Sequence, residues 1–198
     1  MNRDMTIDEF FDIHQVPEET SKLFQAFYLQ SKGNYDKCRE WAIANCKTLQ
    51  ECWDTIPDSY GLVWLASKPN VLTPEERLKF VLFCCELLRP QLNNLLSAFA
   101  INTLQRWVKG EATLLELKVA SYVAEDAWDG ASDMYDEDTG SAEAAVAMAV
   151  RVSPDADSFE IANILEVAEW ANGADIAWDT LADCLRTHAK PNFTKKED

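Results

Sequence analysis

The chain has 198 residues, of which 47% are hydrophobic and 11% aromatic, and its formal net charge at pH 7 is −16. This apolar content excludes a disordered acidic tail, and the length allows one domain or two small lobes with a buried core. The charge disfavours direct binding to nucleic acid or to an anionic membrane surface, because both are negatively charged.

Start and stop signals divide the first half of the chain into helices. Thr6 with Glu9 forms a capping box, and Pro17 then opens a second helix that ends at Gly33, before Asn34 caps a third. Further helix starts are predicted at Thr48 with Glu51, at Asp58, and at Thr73-Pro74 with Glu76. The helix from Thr73 ends at Pro90.

The second half continues in the same way. Residues 91–109 form an amphipathic helix that ends at Gly110, and Thr113 with Glu116 opens an acidic helix that extends to about residue 136. The apolar positions of these two helices include Leu95, Leu96, Phe99 and Leu104, then Leu115, Val119, Tyr122, Val123 and Trp128. Three more helices are predicted within 141–152, 153–173 and 174–185.

These patterns predict an all-α protein, a compact multi-helix bundle of about eight to ten helices. We predict a near-neutral helical lobe at 1–110, an acidic helical lobe packed on it at 111–189, and a disordered polar tail at 190–198.

The negative charge is concentrated in one segment. Residues 111–185 hold eighteen acidic side chains against only Lys118 and Arg151, whereas residues 1–110 hold fourteen acids and twelve bases. Such asymmetry indicates a partner with a basic surface.

Within that segment, acidic residues recur every three or four positions, so a helix places them in one stripe. Like charges at this spacing destabilise a helix by about 0.2–0.5 kcal/mol per pair, which favours a binding role over a structural one. Carboxylates about 5–6 Å apart also resemble the phosphates of a nucleic-acid strand. The predicted partner-binding residues are Glu125, Asp126, Trp128, Asp129, Asp133, Asp136, Glu137 and Asp138. The alternative is a solvated helix face that serves only solubility.

The sequence contains no motif typical of catalysis or of metal binding. The chain holds only His14 and His188, with no HExxH, GxSxG or Walker loop, and residues 136–140 lack the ligand order of an EF-hand. The six cysteines contain no CxxC pair, so we expect reduced thiols packed mainly in the core. We therefore expect a protein that is not an enzyme and uses no cofactor or metal.

The first residues lack the features of a secretory signal, and no apolar run is long enough to span a bilayer. We expect a cytoplasmic protein that does not bind membranes.

Residues 60–131 resemble a family of immunity proteins, which are small all-helical proteins of bacteria and phages. The resemblance consists of Trp64-Leu65, a Pro/Glu-rich start to a Cys-bearing helix at 73–88, and Gly110-Glu111-Ala112-Thr113 ahead of an Ala-rich helix. In that family this helix continues with Ala and Arg, whereas here it turns acidic from Glu125 onward. The resemblance implies a fold and a class, and it carries over no functional residues.

We therefore expect a non-enzymatic inhibitor that binds a basic, nucleic-acid-binding effector or nuclease through its acidic helical face. A phage anti-defence protein directed at a CRISPR or restriction complex would act in this way, and so would an immunity protein against a nuclease toxin. The alternative function is a helical adaptor or scaffold whose apolar groove binds a peptide or helix. A homodimer is compatible with either function.

Overall fold

A computed structural model describes residues 2–14, 25–92, 94–134, 137–151, 164–173 and 176–196. Within these ranges the chain forms ten α-helices and two short strands, so the predicted all-α class is confirmed. In the same ranges, no helix has the length and apolar character needed to cross a bilayer.

The helices are α1 (Ile7–Ile13), α2 (Gln25–Asn45), α3 (Leu49–Thr55), α4 (Ser59–Ser67), α5 (Pro74–Leu88), α6 (Leu95–Val108), α7 (Leu114–Met134), α8 (Glu137–Ala149), α9 (Ile164–Gly173) and α10 (Trp178–His188). The strands are β1 (Asn2–Asp4) and β2 (Thr194–Lys196), and a 3₁₀ turn at Arg89–Gln91 follows α5.

The predicted helix starts are mostly confirmed. Thr6 and Thr73 both form complete capping boxes, with Glu9 and Glu76 respectively. The Thr48 side chain accepts the Glu51 N–H, but the Glu51 carboxylate accepts from the Lys47 N–H at 2.7 Å, one residue earlier than in a capping box. Asp58 stands at the N-cap of α4 without a side-chain capping bond.

The predicted break at Gly33 and Asn34 is wrong, because α2 runs through both residues to Asn45. Glycine costs about 1 kcal/mol relative to alanine inside a helix, which is too little to end a helix of this length. Pro17, the predicted start of the preceding helix, lies outside the described residues.

The disordered tail predicted at 190–198 is wrong for residues 190–196. β2 pairs antiparallel with β1, and Asn2 lies opposite Lys196. Phe193 is only 8% exposed, and its ring lies 5.8 Å from that of Phe10. A three-residue strand is too short to produce a period-two pattern in sequence, so this pairing had no local signal.

An aromatic cluster forms the N-terminal part of the core. The Phe11 ring stacks on Trp64 at 5.5 Å, and the Tyr35 hydroxyl donates to the Phe11 carbonyl at 2.7 Å. Gly61 lets α4 approach α2 closely, because a Cβ there would lie 3.3 Å from the Cys38 sulfur.

The Ala-rich helix α8 lies in the interior, where it contacts α5, α6, α7 and α9. Between Ala142 and Ala149 its side chains are apolar except for Glu143, whose carboxylate accepts hydrogen bonds from the Ser97 hydroxyl and the Asn94 N–H. Its buried residues are Ala142, Glu143, Ala144, Ala145, Val146, Ala147 and Ala149. Because α4 and α5 pack on α8, α9 and α10, residues from both predicted lobes share one buried cluster.

Candidate functional site

Helices α6 and α7 form a hairpin whose turn is set by glycine. Gly110 adopts a φ of 72°, a conformation that favours glycine. Its N–H donates to the Trp107 carbonyl at 2.9 Å, and the N–H of Glu111 donates to the Arg106 carbonyl at 2.8 Å. These two bonds make a Schellman motif, and the predicted helix end at Gly110 is confirmed.

The start of α7 is fixed by a capping box and an ion pair. The Glu116 carboxylate accepts the Thr113 N–H at 2.7 Å, and the Glu116 N–H donates to the Thr113 hydroxyl at 3.2 Å. Arg106 on α6 donates to the same carboxylate at 2.9 Å. The backbone and hydroxyl bonds from Thr113, with help from Arg106, lower the pKa of Glu116 to about 2. The ionised carboxylate therefore ties α7 to α6 throughout the physiological pH range.

The buried face of α7 consists mainly of small side chains. These residues are Leu117, Ala120, Ser121, Ala124 and Ala127. Small side chains allow the backbones of neighbouring helices to approach closely, and α7 packs on α6 and α8.

The opposite face of α7 carries a continuous solvent-exposed stripe. Leu115, Val119 and Tyr122 are 71%, 47% and 49% exposed, and Asp126 and Asp129 are also exposed. Successive members are four, three, four and three residues apart, which keeps them on one side of the helix. We call these five residues the α7 stripe. Its first three positions are apolar and its last two are acidic.

This arrangement corrects the sequence-based interpretation of α7. Leu115, Val119 and Tyr122 match the apolar face of an amphipathic helix, yet the structure exposes all three to solvent. The sequence did contain a sign of this exposure, because the same three- and four-residue spacing continues from Tyr122 to Asp126 and Asp129. A helix face that continues into aspartates cannot lie wholly in a core.

Helix α6, which packs on α7, carries four exposed apolar side chains. They are Leu95, which is 86% exposed, Leu96, Phe99 and Val108. Phe99 lies seven residues before Arg106, and Val123 lies seven residues after Glu116. Because Arg106 and Glu116 are paired across the antiparallel hairpin, Phe99 lies at the level of Val123, where the stripe changes from apolar to acidic. We call Leu95, Leu96 and Phe99 together with the α7 stripe the hairpin face.

The predicted site residues within α7 fall into two groups. Asp126 and Asp129 belong to the exposed stripe, whereas Glu125 and Trp128 are half-buried at its side. The Trp128 ring packs edge-to-face on Trp170 of α9 at 5.8 Å. Its indole therefore packs partly inside the molecule, and its predicted role in partner binding stays a prediction.

The remaining predicted site residues lie at the edge of the described structure. Asp133 continues the three- and four-residue spacing within α7, and Glu137 and Asp138 begin α8, but their side chains lie outside the described part. Asp136 lies outside the described residues.

A groove of about 440 Å³ runs between α5 and α10. Its apolar lining includes Phe80, Phe83 and Leu185. The two glutamates at its edge already serve the fold, since Glu76 accepts the Lys190 N–H at 2.8 Å and Glu86 accepts from Arg89 at 2.9 Å.

The two histidines lie far apart in sequence and on different helices. His14 caps the C-terminal end of α1 with its ring 4.6 Å from Phe10, and burial, aided by the charge of Lys68, lowers its pKa. His188 is exposed at the end of α10. Among the described residues, no three His, Cys, Asp or Glu side chains are grouped so as to hold a metal ion.

Comparison with protein-family models, with curated proteins and with solved structures found no match to this chain. The resemblance of residues 60–131 to immunity proteins stays a prediction. Function is therefore inferred from the geometry and charge of the hairpin face.

Proposed function

We propose that this protein is a non-enzymatic inhibitor that docks its hairpin face onto a basic surface of a nucleic-acid-acting protein. The observation that carries the proposal is the α7 stripe, in which exposed apolar residues lead into exposed aspartates along one rigid helix.

The two halves of the stripe suit different parts of an interface. Exposed apolar and aromatic side chains supply the desolvated centre from which most binding energy comes, and Tyr122 is of the residue type enriched there. Acidic side chains at the edge attract a basic partner during association and disfavour an acidic one. A net charge of −16 extends this steering over the whole molecule.

The aspartates suit a partner that ordinarily binds phosphate. Asp126 and Asp129 are three residues apart on a helix, so their Cβ atoms are about 5–6 Å apart. Lys and Arg side chains that bind phosphate also form charge-assisted hydrogen bonds with carboxylates. Occupying those side chains blocks nucleic-acid binding without any chemical step. A phage anti-defence protein and an immunity protein against a nuclease toxin would both act by such occlusion.

The proposal is tested by affinity purification from lysate of the native host, at about 50 mM and about 500 mM salt. Three baits are compared: the unchanged protein, D126N/D129N, and E40Q/D54N. The last variant loses the same two charges from exposed positions on α2 and α3. The purified partner is then assayed for nucleic-acid binding with and without the protein.

We expect the unchanged protein and E40Q/D54N to retain a nucleic-acid-binding protein at low salt and to release it at high salt. D126N/D129N should retain much less, and the unchanged protein should inhibit nucleic-acid binding by the partner. Retention by D126N/D129N equal to that of the control, or a partner that does not act on nucleic acid, contradicts the proposal.

The second candidate function is a helical adaptor that binds a peptide or helix in an apolar groove. The groove between α5 and α10, with Phe80, Phe83 and Leu185 in its lining, favours this function. An adaptor of this kind would keep its partner in D126N/D129N and lose it when Phe83, which is only half-buried, is changed to Ser.

A further inference from the structure

We infer that the groove between α5 and α10 binds a small, uncharged aromatic molecule. The groove shares no residue with the hairpin face, so the inference goes beyond the proposed function and does not depend on it. It is argued from the lining of the groove, from its size and from its charges.

The groove has an apolar floor and an apolar wall. Phe80, Cys184 and Leu185 are 2%, 8% and 1% exposed and form its floor, whereas Leu82 and Phe83 are half-buried along it. Aromatic rings pack edge-to-face or offset on phenylalanine, and sulfur makes favourable contacts with them. This lining therefore suits an aromatic ring.

The size of the groove favours a small molecule over the peptide or helix of the second candidate function. Its volume of about 440 Å³ lies within the range of about 300–1,000 Å³ typical of small-molecule sites. One turn of an α-helix, about 5.4 Å long and about 10 Å wide, displaces about 420 Å³, so a helix could place only about one turn there. At one end the Lys190 N–H, just after α10, donates to the Glu76 carboxylate of α5 at 2.8 Å. A peptide lying along the groove would have to cross this connection, whereas a ring compound ends before it.

The acidic and lysine side chains that line the groove already interact with neighbours. The Lys79 ammonium lies 2.6 Å from the Glu75 carboxylate, and the Arg89 guanidinium lies 2.9 Å from the Glu86 carboxylate. Glu76 is held by the hydrogen bond described above. A charged ligand would therefore lose water in an apolar groove without gaining a free counter-ion. An anion is in addition repelled by the net charge of −16, so the occupant is uncharged.

The probe is prodan, an uncharged naphthalene dye whose emission shifts to shorter wavelength in apolar surroundings. Its binding to the unchanged protein, F83A and F99A is measured by fluorescence titration at about 500 mM salt, which screens the attraction of cations by the whole molecule. F99A removes the same type of side chain from an exposed position on α6, outside the groove. The competitors are 2-naphthylmethanol, 2-naphthylmethylamine and 2-naphthoate, which share one ring system and differ in charge.

We expect prodan to bind the unchanged protein and F99A equally well, and to bind F83A about tenfold more weakly because the aromatic wall is lost. The alcohol should displace prodan at concentrations at least about fivefold lower than the amine or the naphthoate. Circular-dichroism melts check that each variant is folded. If F83A does not fold, L82A, which shortens another half-buried side chain of the groove, takes its place.

The inference is overturned if prodan does not bind, if it binds the groove variant as tightly as the unchanged protein, or if F99A loses binding. Displacement by the amine or the naphthoate at a concentration equal to or below that of the alcohol also overturns it, because the groove would then not prefer an uncharged ligand. None of these results bears on retention of a partner through Asp126 and Asp129. The inhibitor proposal is therefore tested separately.

Discussion

At the scale of single residues, burial controls the chemistry of the cysteines. All six are free, and five of them are buried. Burial raises the pKa of Cys38 and of Cys85 to about 12 and that of Cys184 to about 11, and it also raises that of Cys84. The sequence correctly indicated thiols that pack as small hydrophobic side chains. It did not single out Cys46, which is half-buried at the end of α2.

We predict that a thiol reagent modifies Cys46 first in the native protein, because a thiol must be accessible and ionised to react. At pH 8, titration with a disulfide reagent such as dithionitrobenzoate should show one fast thiol, and all six should react in urea. Cys46→Ser should abolish the fast reaction, whereas Cys184→Ser should leave it in place. Two or more fast thiols in the native protein would contradict the burial of the other five cysteines.

At the scale of single elements, local signals predicted helix starts better than helix faces. The boxes at Thr6, Thr73 and Thr113 each involve residues three positions apart, so their pattern is complete in the sequence. Packing against α6 and α8 decides which side of α7 faces solvent. Periodicity alone could not show this, and it assigned Leu115 and Tyr122 to the buried apolar face. The acidic stripe was predictable, but its apolar half was not recognised as part of it.

We predict that Thr113→Ala lowers the free energy of unfolding by about 1 kcal/mol, the usual effect of removing an N-cap. For a protein of this size the melting temperature should fall by about 2–4 °C. The variant should also weaken partner binding, because Thr113 and Glu116 fix the start of the helix that carries the stripe.

The matched control for this change is Thr73→Ala, which removes the corresponding capping box at the start of α5. Its melting temperature should fall by a similar amount while it retains the partner in the affinity purification as the unchanged protein does. If both variants retain the partner equally well, α7 keeps its position without the cap. Calorimetric melts and affinity purification with the same samples measure both effects.

At the scale of the whole molecule, buried ionisable groups make the free energy of unfolding vary with pH in the alkaline range. A thiol whose pKa is raised on folding stabilises the native state fully below its ordinary pKa of 9. That stability is lost as the pH rises toward the folded value. Lys68 acts in the opposite direction, since burial lowers its pKa to about 8 and stability from this group rises between pH 8 and 10.5. The buried thiols, whose contribution to stability falls as the pH rises, outnumber this single lysine.

We therefore predict that the free energy of unfolding falls above pH 9. Each thiol that stays protonated in the folded state but ionises in the unfolded chain contributes up to about 1.4 kcal/mol per pH unit. Urea melts between pH 7 and pH 10 in a reducing buffer measure this dependence. Cys184→Ala should make the decline less steep, and a stability that does not change up to pH 10 would show that the thiols ionise in the native protein.

Composition and local periodicity predicted the all-α class, but they could not predict contacts between distant segments. The Ala-rich residues of α8 indicated a helix through their intrinsic propensity, and only packing against α5, α7 and α9 makes that helix central. The pairing of β2 with β1 likewise depends on both ends of the described chain. The charge asymmetry was visible in the sequence, whereas the exposure of Asp126 and Asp129 on one face of α7 could be seen only in the fold.

The pairing of β1 with β2 also has a consequence for the order of folding. Phe193 packs against Phe10 and Trp53, and the Met5 N–H donates to the Phe193 carbonyl at 2.9 Å. During synthesis, α1 leaves the ribosome long before residue 193. Its aromatic side chains are therefore present before Phe193 can pack against them. Contacts between residues so far apart in sequence form slowly. We expect the contacts of Phe193 with Phe10 and Trp53 to form later than those that join Phe11, Tyr35 and Trp64, which lie closer together in sequence.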